Sequence, residues 1–180
     1  MHCASSMTAC SYGVLDPFDC MEMTGKEILQ NIIDGRLPQA PICKTLSFWL
    51  AEVGDGVAVF EGDSGPHLLN PNGTLHGGWA LTLIDSATAC AGYSLLPAGS
   101  SYTTIETKGN FCKPITQLTG RVRAEARVVS QGRQIISASA QVRAGDGRVL
   151  AHGTSTIMVL AGSAETRPMK RPPAIGATAA

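Results

Sequence analysis

Aromatic residues are scarce, at 5% of 180 residues, and charged residues make up only 16%, with fourteen Lys and Arg set against fourteen Asp and Glu. A chain with no surplus of positive charge lacks the electrostatic footprint that phosphate backbones and anionic lipid surfaces require. Neither nucleic acid nor membrane is therefore expected as a partner, and small-molecule chemistry is the better expectation. Six cysteines, at 3, 10, 20, 43, 90 and 112, form no C-x-x-C and no Cys/His pairing at ligand spacing, so they read as reduced thiols. The four histidines, at 2, 67, 76 and 152, show no paired spacing either, and no metal is expected. Met1 to Met23 lacks the basic and apolar regions of a secretory signal, which implies a cytoplasmic protein. The longest apolar run, Trp79 to Tyr93, falls short of the ~20 residues a bilayer crossing takes and carries Asp85 at its centre. It reads as a buried helix.

Against these absences stands a hydrophobic share of 44%, enough for one domain with a core of its own. Residues 1–23 lack periodicity, and 161–180 run through Pro168, Pro172 and Pro173 into Gly and Ala, so both ends read as flexible segments around a domain at 24–160. Thr24 with Glu27 is a capping-box signature, and Ile28, Leu29, Ile32 and Ile33 repeat at helical spacing up to Gly35. Pro38 and Pro41 read as breaks. Leu46 to Val53 and Val57 to Phe60 flank Gly54-Asp55-Gly56 and read as a hairpin. After the 79–93 helix come Tyr102 to Cys112, a strand with Val122, Ala124, Ala126 and Val128 on one face, a second with Ile136, Ala138, Ala140, Val142 and Ala144, and a third over Val149 to Leu160. Helix, two strands, long apolar helix and four strands predict an α+β domain whose antiparallel sheet wraps that helix.

Two motifs fail on context. Gly62-Asp63-Ser64-Gly65-Pro66 imitates a serine-protease nucleophile segment, but only His2 lies upstream of Ser64, where such an arrangement needs both partners. His76-Gly77-Gly78 imitates a lipase oxyanion segment, but no G-x-S-x-G follows. What remains is the long helix itself. Asp85 is the only charge between residues 77 and 105. An unpaired buried carboxylate is costly unless hydrogen-bonded or protonated, with Thr82, Ser86 and the backbone as nearby partners. Gly77 and Gly78 place bare N–H groups at the first turn, where dipole and free donors can polarise a carbonyl. At ~1.5 Å per residue the two features lie about 12 Å apart, so one helix cannot join them. Two antiparallel helices across a two-fold axis can, and a homodimer with two composite sites is expected, either as such or paired into a tetramer.

Asn70, Pro71, Gly73, Thr74, His76, Gly77, Gly78, Leu83, Asp85, Ser86 and Ala87 together resemble the motif of hotdog-fold thioesterases of the phenylacetate-degradation type, the PaaI-like family. Tyr102-Thr-Thr-Ile-Glu, Asn110-Phe-x-x-Pro114, Gly120-Arg-Val-Arg-Ala-Glu-Ala, Gly132-Arg and Leu150-Ala-His-Gly-Thr extend the likeness over about Gly25 to Leu160. The resemblance implies a hotdog fold, an antiparallel sheet around one long central helix, and hydrolysis of an acyl-CoA thioester, with a medium-chain or aromatic acyl group, without a cofactor. It implies that the Gly77 N–H polarises the thioester carbonyl, with Gly78 as a substrate-binding neighbour, and that Asn70 and His76 orient substrate or water. Asp85 of the partner subunit would be general base or nucleophile. Thr104 would hold the attacking water, or Thr103 if the register differs by one. Tyr93, Leu95 and Leu96 would shape the acyl pocket; Arg133 and Arg148 sit in turns where arginine is usually solvated, and are left out of the site. The rival readings are a hotdog hydratase or dehydratase, whose His and carboxylate would stand in a different arrangement, and a non-catalytic acyl-CoA sensor, which would gain nothing from a buried carboxylate.

Overall fold

A computed structural model describes residues 11–160; of the flexible ends expected at 1–23 and 161–180, residues 1–10 and 161–180 lie outside the described residues. The chain runs α1 (Pro17–Cys20), α2 (Gly25–Ile33), α3 (Pro41–Thr45), β1 (Phe48–Gly54), β2 (Val57–Asp63), a 3-10 turn (Pro66–Leu68), α4 (Gly77–Tyr93), β3 (Ser101–Phe111), β4 (Arg121–Gln131), β5 (Ile135–Ala144) and β6 (Val149–Leu160). The six strands form one antiparallel sheet in the order β1-β2-β4-β5-β6-β3. It wraps α4, the α+β hotdog architecture that the sequence predicts. Among the described residues no helix is long and apolar enough to cross a membrane.

The two short helices α1 and α3 escape the sequence reading because Pro17 and Pro41 stand at helix starts, where a proline lacks only a donor that the first turn leaves unused. The α2 capping box forms as predicted: the Glu27 N–H donates to Thr24 Oγ1 at 3.3 Å, and the Thr24 N–H donates to Glu27 Oε2 at 2.7 Å. Residues 11–13 lie beside the domain, with the Gly13 N–H donating to the Gln39 carbonyl and the Gln39 N–H to the Ser11 carbonyl, each at 2.9 Å.

Small residues set how closely sheet and helix approach. Ala124, Ala126, Ala138, Ala140 and Ala151 are buried in the sheet, and Ala80, Ala87 and Ala91 on α4, with Trp79, Leu83 and Ile84 filling the space between. Gly109 on β3 stands opposite Gly153 on β6. A Cβ at Gly109 would lie 3.1 Å from Leu81, and one at Gly153 only 2.3 Å from the Lys108 carbonyl and 3.0 Å from Ile84. This glycine pair is the seat of the helix. The helix α4 runs antiparallel to β3, with Gly77 at Phe111, Leu81 at Gly109, Asp85 at Thr107 and Tyr93 at Tyr102.

The two outer strands end differently. On β1, the Gln39 side chain accepts from the Leu50 N–H at 3.2 Å and donates to the Leu50 carbonyl at 3.3 Å, so it plugs the edge. The edge of β3, eleven residues long, carries Ile105 and Phe111 at 53% and 58% exposure.

Gly153→Ala must push backbone apart where β3, β6 and α4 meet, and is expected to cost about 2–3 kcal/mol or more, as overpacking of a tight site does. Gly145→Ala, with nothing within 4 Å of its added Cβ, should stay within about 0.5 kcal/mol of the parent. Urea unfolding of both variants checks the contrast.

Candidate active site

The loop from Asn70 to Leu75 is built by its first residue. Asn70 Oδ1 accepts from the N–H groups of Asn72 (2.9 Å) and Thr74 (3.3 Å), and its Nδ2 donates to Thr74 Oγ1 at 2.8 Å. Gly73 turns the chain at φ 79°, a conformation that favours glycine. The loop then docks on both sides, through the Leu75 N–H to the Ile115 carbonyl and the His76 N–H to the Leu68 carbonyl, both at 2.8 Å. Most of the Asn70 amide is thus spent on the loop, which delivers His76 and Gly77 to a fixed place.

His76 is the N-cap of α4. Its Nδ1 accepts from the Gly78 N–H at 2.9 Å. An accepting Nδ1 puts the proton of the neutral ring on Nε2, which faces outward as a donor. Gly78 gives its N–H to this cap. The Gly77 N–H, in the first turn, has no partner among the described residues and lies in a cavity of about 300 Å³ lined by His76, Phe111, Cys112, Lys113 and Ile115. A side chain at 77 would meet the Phe111 ring at 2.9 Å. The bare N–H and the helix dipole meet at one apolar hollow that His76 also lines, an arrangement suited to polarising a carbonyl.

Asp85 lies in a second cavity, of about 360 Å³, with Leu81, Thr82, Thr104, Ile105, Glu106 and Thr107. It is half-buried, less than its apolar neighbours in sequence imply, because its face of α4 looks along the open β3 edge. Its partner is neither Thr82, which donates to the Gly78 carbonyl, nor Ser86, but Thr107, whose Oγ1 donates to Asp85 Oδ1 at 2.9 Å. A bulge explains this. The β3–β6 pairing slips between Thr104 and Glu106, and Ile105 is the extra residue. The inward face therefore switches from Tyr102 and Thr104 to Thr107 and Gly109, and two threonines reach the carboxylate's cavity. Thr103 is exposed, whereas Thr104 lines the cavity with its hydroxyl unbonded among the described residues.

Thr107 continues inward. Its Oγ1 lies 2.9 Å from Ser155 Oγ on β6, which lies 2.6 Å from Thr88 Oγ1 on α4. Sequence reasoning passed over Thr107, Ser155 and Thr88. The signal was there: Ser155 follows Ala151 and Gly153 on the buried face of β6, and Thr88 stands on the buried side of an apolar helix, and polar groups at core positions need partners.

The structure thus brings Asp85 and Thr104 together, and His76 and Gly77 together, in two separate cavities of one helix. No thiol competes on α4: desolvation, assisted by the Cys43 thiol, pushes Cys90 up to about 12, far above the range in which a thiolate forms at neutral pH. Among the described residues no group of three or more His, Cys, Asp or Glu is placed to hold a metal ion. Nor does the outer sheet face offer free cations on β4, since Arg121 pairs with Asp63 at 2.9 Å, Arg123 with Glu52 at 2.7 Å and Arg127 with Glu125 at 2.7 Å.

Residues 72–151 match the profile of the thioesterase superfamily. No curated protein matches the sequence significantly. Among solved structures, a conserved protein from Pseudomonas aeruginosa is 31% identical, over 67% of this chain and 94% of that one, with a TM-score of 0.63. A thioesterase family protein from Silicibacter pomeroyi is 29% identical over 73% and 98% of the two chains, with a TM-score of 0.64. A mutant of the phenylacetic acid degradation protein PaaI from Thermus thermophilus is 27% identical over 67% and 99%, with a TM-score of 0.60. Profile and neighbours agree with the fold, and the chain belongs to the thioesterase superfamily.

Proposed function

We propose that the protein hydrolyses acyl-CoA thioesters with medium-chain or aromatic acyl groups, at a site completed by two copies of the chain. One observation carries this reading: a Gly77 N–H without a partner among the described residues and a threonine-held Asp85 carboxylate stand on the same rigid helix, in different cavities. At ~1.5 Å per residue they are about 12 Å apart, well beyond the reach of one thioester group. The midpoint between them is Leu81, level with Gly109 on β3. If two β3 edges pair antiparallel about a two-fold axis near that level, each Asp85 comes to face the other copy's Gly77. The open β3 edge and the half-buried helix stripe of Leu81, Thr82, Asp85 and Ser86 beside it are the surfaces such pairing would cover.

In the composite site the thioester carbonyl oxygen accepts from the Gly77 N–H, with His76 lining the same hollow. A water held by the Thr104 that shares a cavity with the other copy's Asp85 loses its proton to that carboxylate as it attacks the carbonyl carbon, or the carboxylate attacks directly and water later releases the acid. Negative charge gathers on the carbonyl oxygen, at the donors; the C–S bond then breaks and CoA leaves as the thiol, taking up a proton. The reaction so written uses only the chain's residues and water.

Release of free thiol from a panel of acyl-CoAs tests the activity, and medium-chain or aromatic thioesters are expected to turn over. No thiol release from any member would overturn the proposal. Asp85→Asn keeps the volume and removes the proton acceptor, so kcat should fall about 10²–10⁴-fold with KM little changed; a folded variant with wild-type turnover would remove Asp85 from the chemistry.

Gly77→Pro deletes the donor without adding a polar group. His76, at φ −61° and ψ 133°, already has the extended backbone that a following proline demands, and the Phe111 ring is exposed enough to yield. A drop of about 10²–10³ in kcat with the fold kept is expected for one lost oxyanion donor.

Mixing Asp85→Asn chains with Gly77→Pro chains tests the two-copy site. In a mixed dimer one site has both defects and the other neither. An equimolar, fully exchanged mixture should regain about a quarter of wild-type activity, because half the dimers are mixed and each has one intact site of two. No recovery, with mixed dimers seen by native mass spectrometry, would place both groups in one chain's site.

A further inference from the structure

We propose that Thr107 and Ser155, with Thr88 behind them, are positioning residues that hold the Asp85 carboxylate in its reactive orientation through a chain of hydroxyls with one fixed direction. The inference rests on the reading of Asp85 as the reacting carboxylate, and it begins from proton counting. Each hydroxyl has one proton to give. An ionised Asp85 can only accept, so the Thr107 proton lies on the 2.9 Å contact to Oδ1. Ser155 must then supply the proton on its 2.9 Å contact with Thr107. The 2.6 Å contact between Ser155 and Thr88 can take its proton only from Thr88. If Thr88 instead gave its proton wholly to the Ile84 carbonyl (2.8 Å) or the Asp85 carbonyl (3.0 Å), two oxygens would face each other at 2.6 Å with no proton between them. All three donors therefore point toward the carboxylate.

The chain is also closed on itself. It leaves α4 at the Asp85 side chain, crosses β3 at Thr107 and β6 at Ser155, and returns to α4 at Thr88, one turn beyond Asp85. Thr88 and Ser155 are 0% and 2% exposed, so water does not compete for the inner links. Only the Thr107 end opens on the cavity. A route of this form fixes a rotamer; it is no path for protons to solvent, because its far end lies in the core. In the low dielectric of the interior each donor polarises the next, and the Thr107 hydroxyl becomes a stronger and better-aimed donor than a threonine facing water. Without Ser155 the Thr107 hydroxyl can turn to another acceptor, and Asp85 can leave its rotamer.

The test is a double-mutant cycle on the full chain with acyl-CoA as substrate. Thr107→Val, near-isosteric, should lower kcat about 10- to 100-fold with KM within about twofold, as loss of a hydrogen bond to a charged group implies. Thr107→Ser should restore kcat to within about threefold of wild type. Ser155→Ala should lower kcat about 3- to 10-fold by itself, and should add nothing in the Thr107→Val background, because it acts only through Thr107. If Thr107→Val does not fold, Thr107→Ala runs the same cycle. Unchanged kcat in Thr107→Val, failure of Thr107→Ser to rescue, or losses that multiply in the double variant would each overturn the proposal. Asp85→Asn, assayed beside them, separates the two levels: if it is active the reading of Asp85 falls and this inference with it, whereas an inactive Asp85→Asn with a fully active Thr107→Val overturns the positioning chain alone.

Discussion

The close seat of α4 on the Gly109–Gly153 pair is the constraint from which the rest of the molecule follows. With no side chain at either position, Leu81 and Ile84 come down onto the backbone of β3 and β6, and the helix sits close to both strands. That placement puts Asp85 within 2.9 Å of Thr107, and Thr88 within 2.6 Å of Ser155. A helix lifted by the width of one methyl group would break these hydroxyl contacts, since side-chain groups separated by about 3.6 Å or more no longer form a hydrogen bond. Packing and polar chemistry are thus one feature here, and the alanines at 124, 126, 138 and 140 serve the site as much as the core.

A helix is a rigid spacer, and its rigidity decides what one chain can do. The partial positive charge at its N-terminus is strongest within the first turn, while the carboxylate at Asp85 belongs to the third. Neither end can be bent toward the other, because Trp79, Leu83 and Ala87 lock the intervening turns in the core, and the Trp79 Nε1–H is tied to the Leu46 carbonyl at 2.8 Å. An enzyme that needs an oxyanion donor and a carboxylate on one thioester must therefore import one of them. The proposed two-copy site does so without asking the fold to move.

Much of the fold was legible in the sequence because its signals are local or strictly periodic. The α2 capping box, the Gly54-Asp55-Gly56 turn and the alternation of Val122, Ala124 and Ala126 carry their own meaning. The site was legible in part for a similar reason: Gly77 and Asp85 lie on one helix whose rise per residue is known, so their separation follows from counting. What stayed hidden depends on pairing between distant segments. Thr107 faces α4 only because the bulge at Ile105 reverses the alternation of β3, and a bulge is written in the register of two strands, not in either strand alone. Ser155 and Thr88 are 67 residues apart. Each is conspicuous as a polar residue at a core position, but nothing in the linear pattern says that they share a partner. Asn70 is a different case. The sequence marks it as important, and the structure shows its amide folded back on Asn72 and Thr74, so the contacts it makes set the position of His76 and Gly77.

An antiparallel sheet with two open edges would polymerise as readily as it would pair, and the two edges here are treated differently. At Leu50, Gln39 occupies both the donor and the acceptor that a docking strand would need, and it is itself almost fully buried. The backbone of the same residue is bonded to Ser11 and Gly13, so a side chain and a short stretch of chain cover β1 together. No such cover lies on β3 among the described residues, and that is the edge beside which the half-buried Asp85 and Gly77 lie. A strand blunted on one side and bare on the other favours a closed pair over an open fibre, because association through the bare edge consumes it in both partners. In the proposed two-copy site the same asymmetry would direct pairing to the edge beside which Gly77 and Asp85 lie.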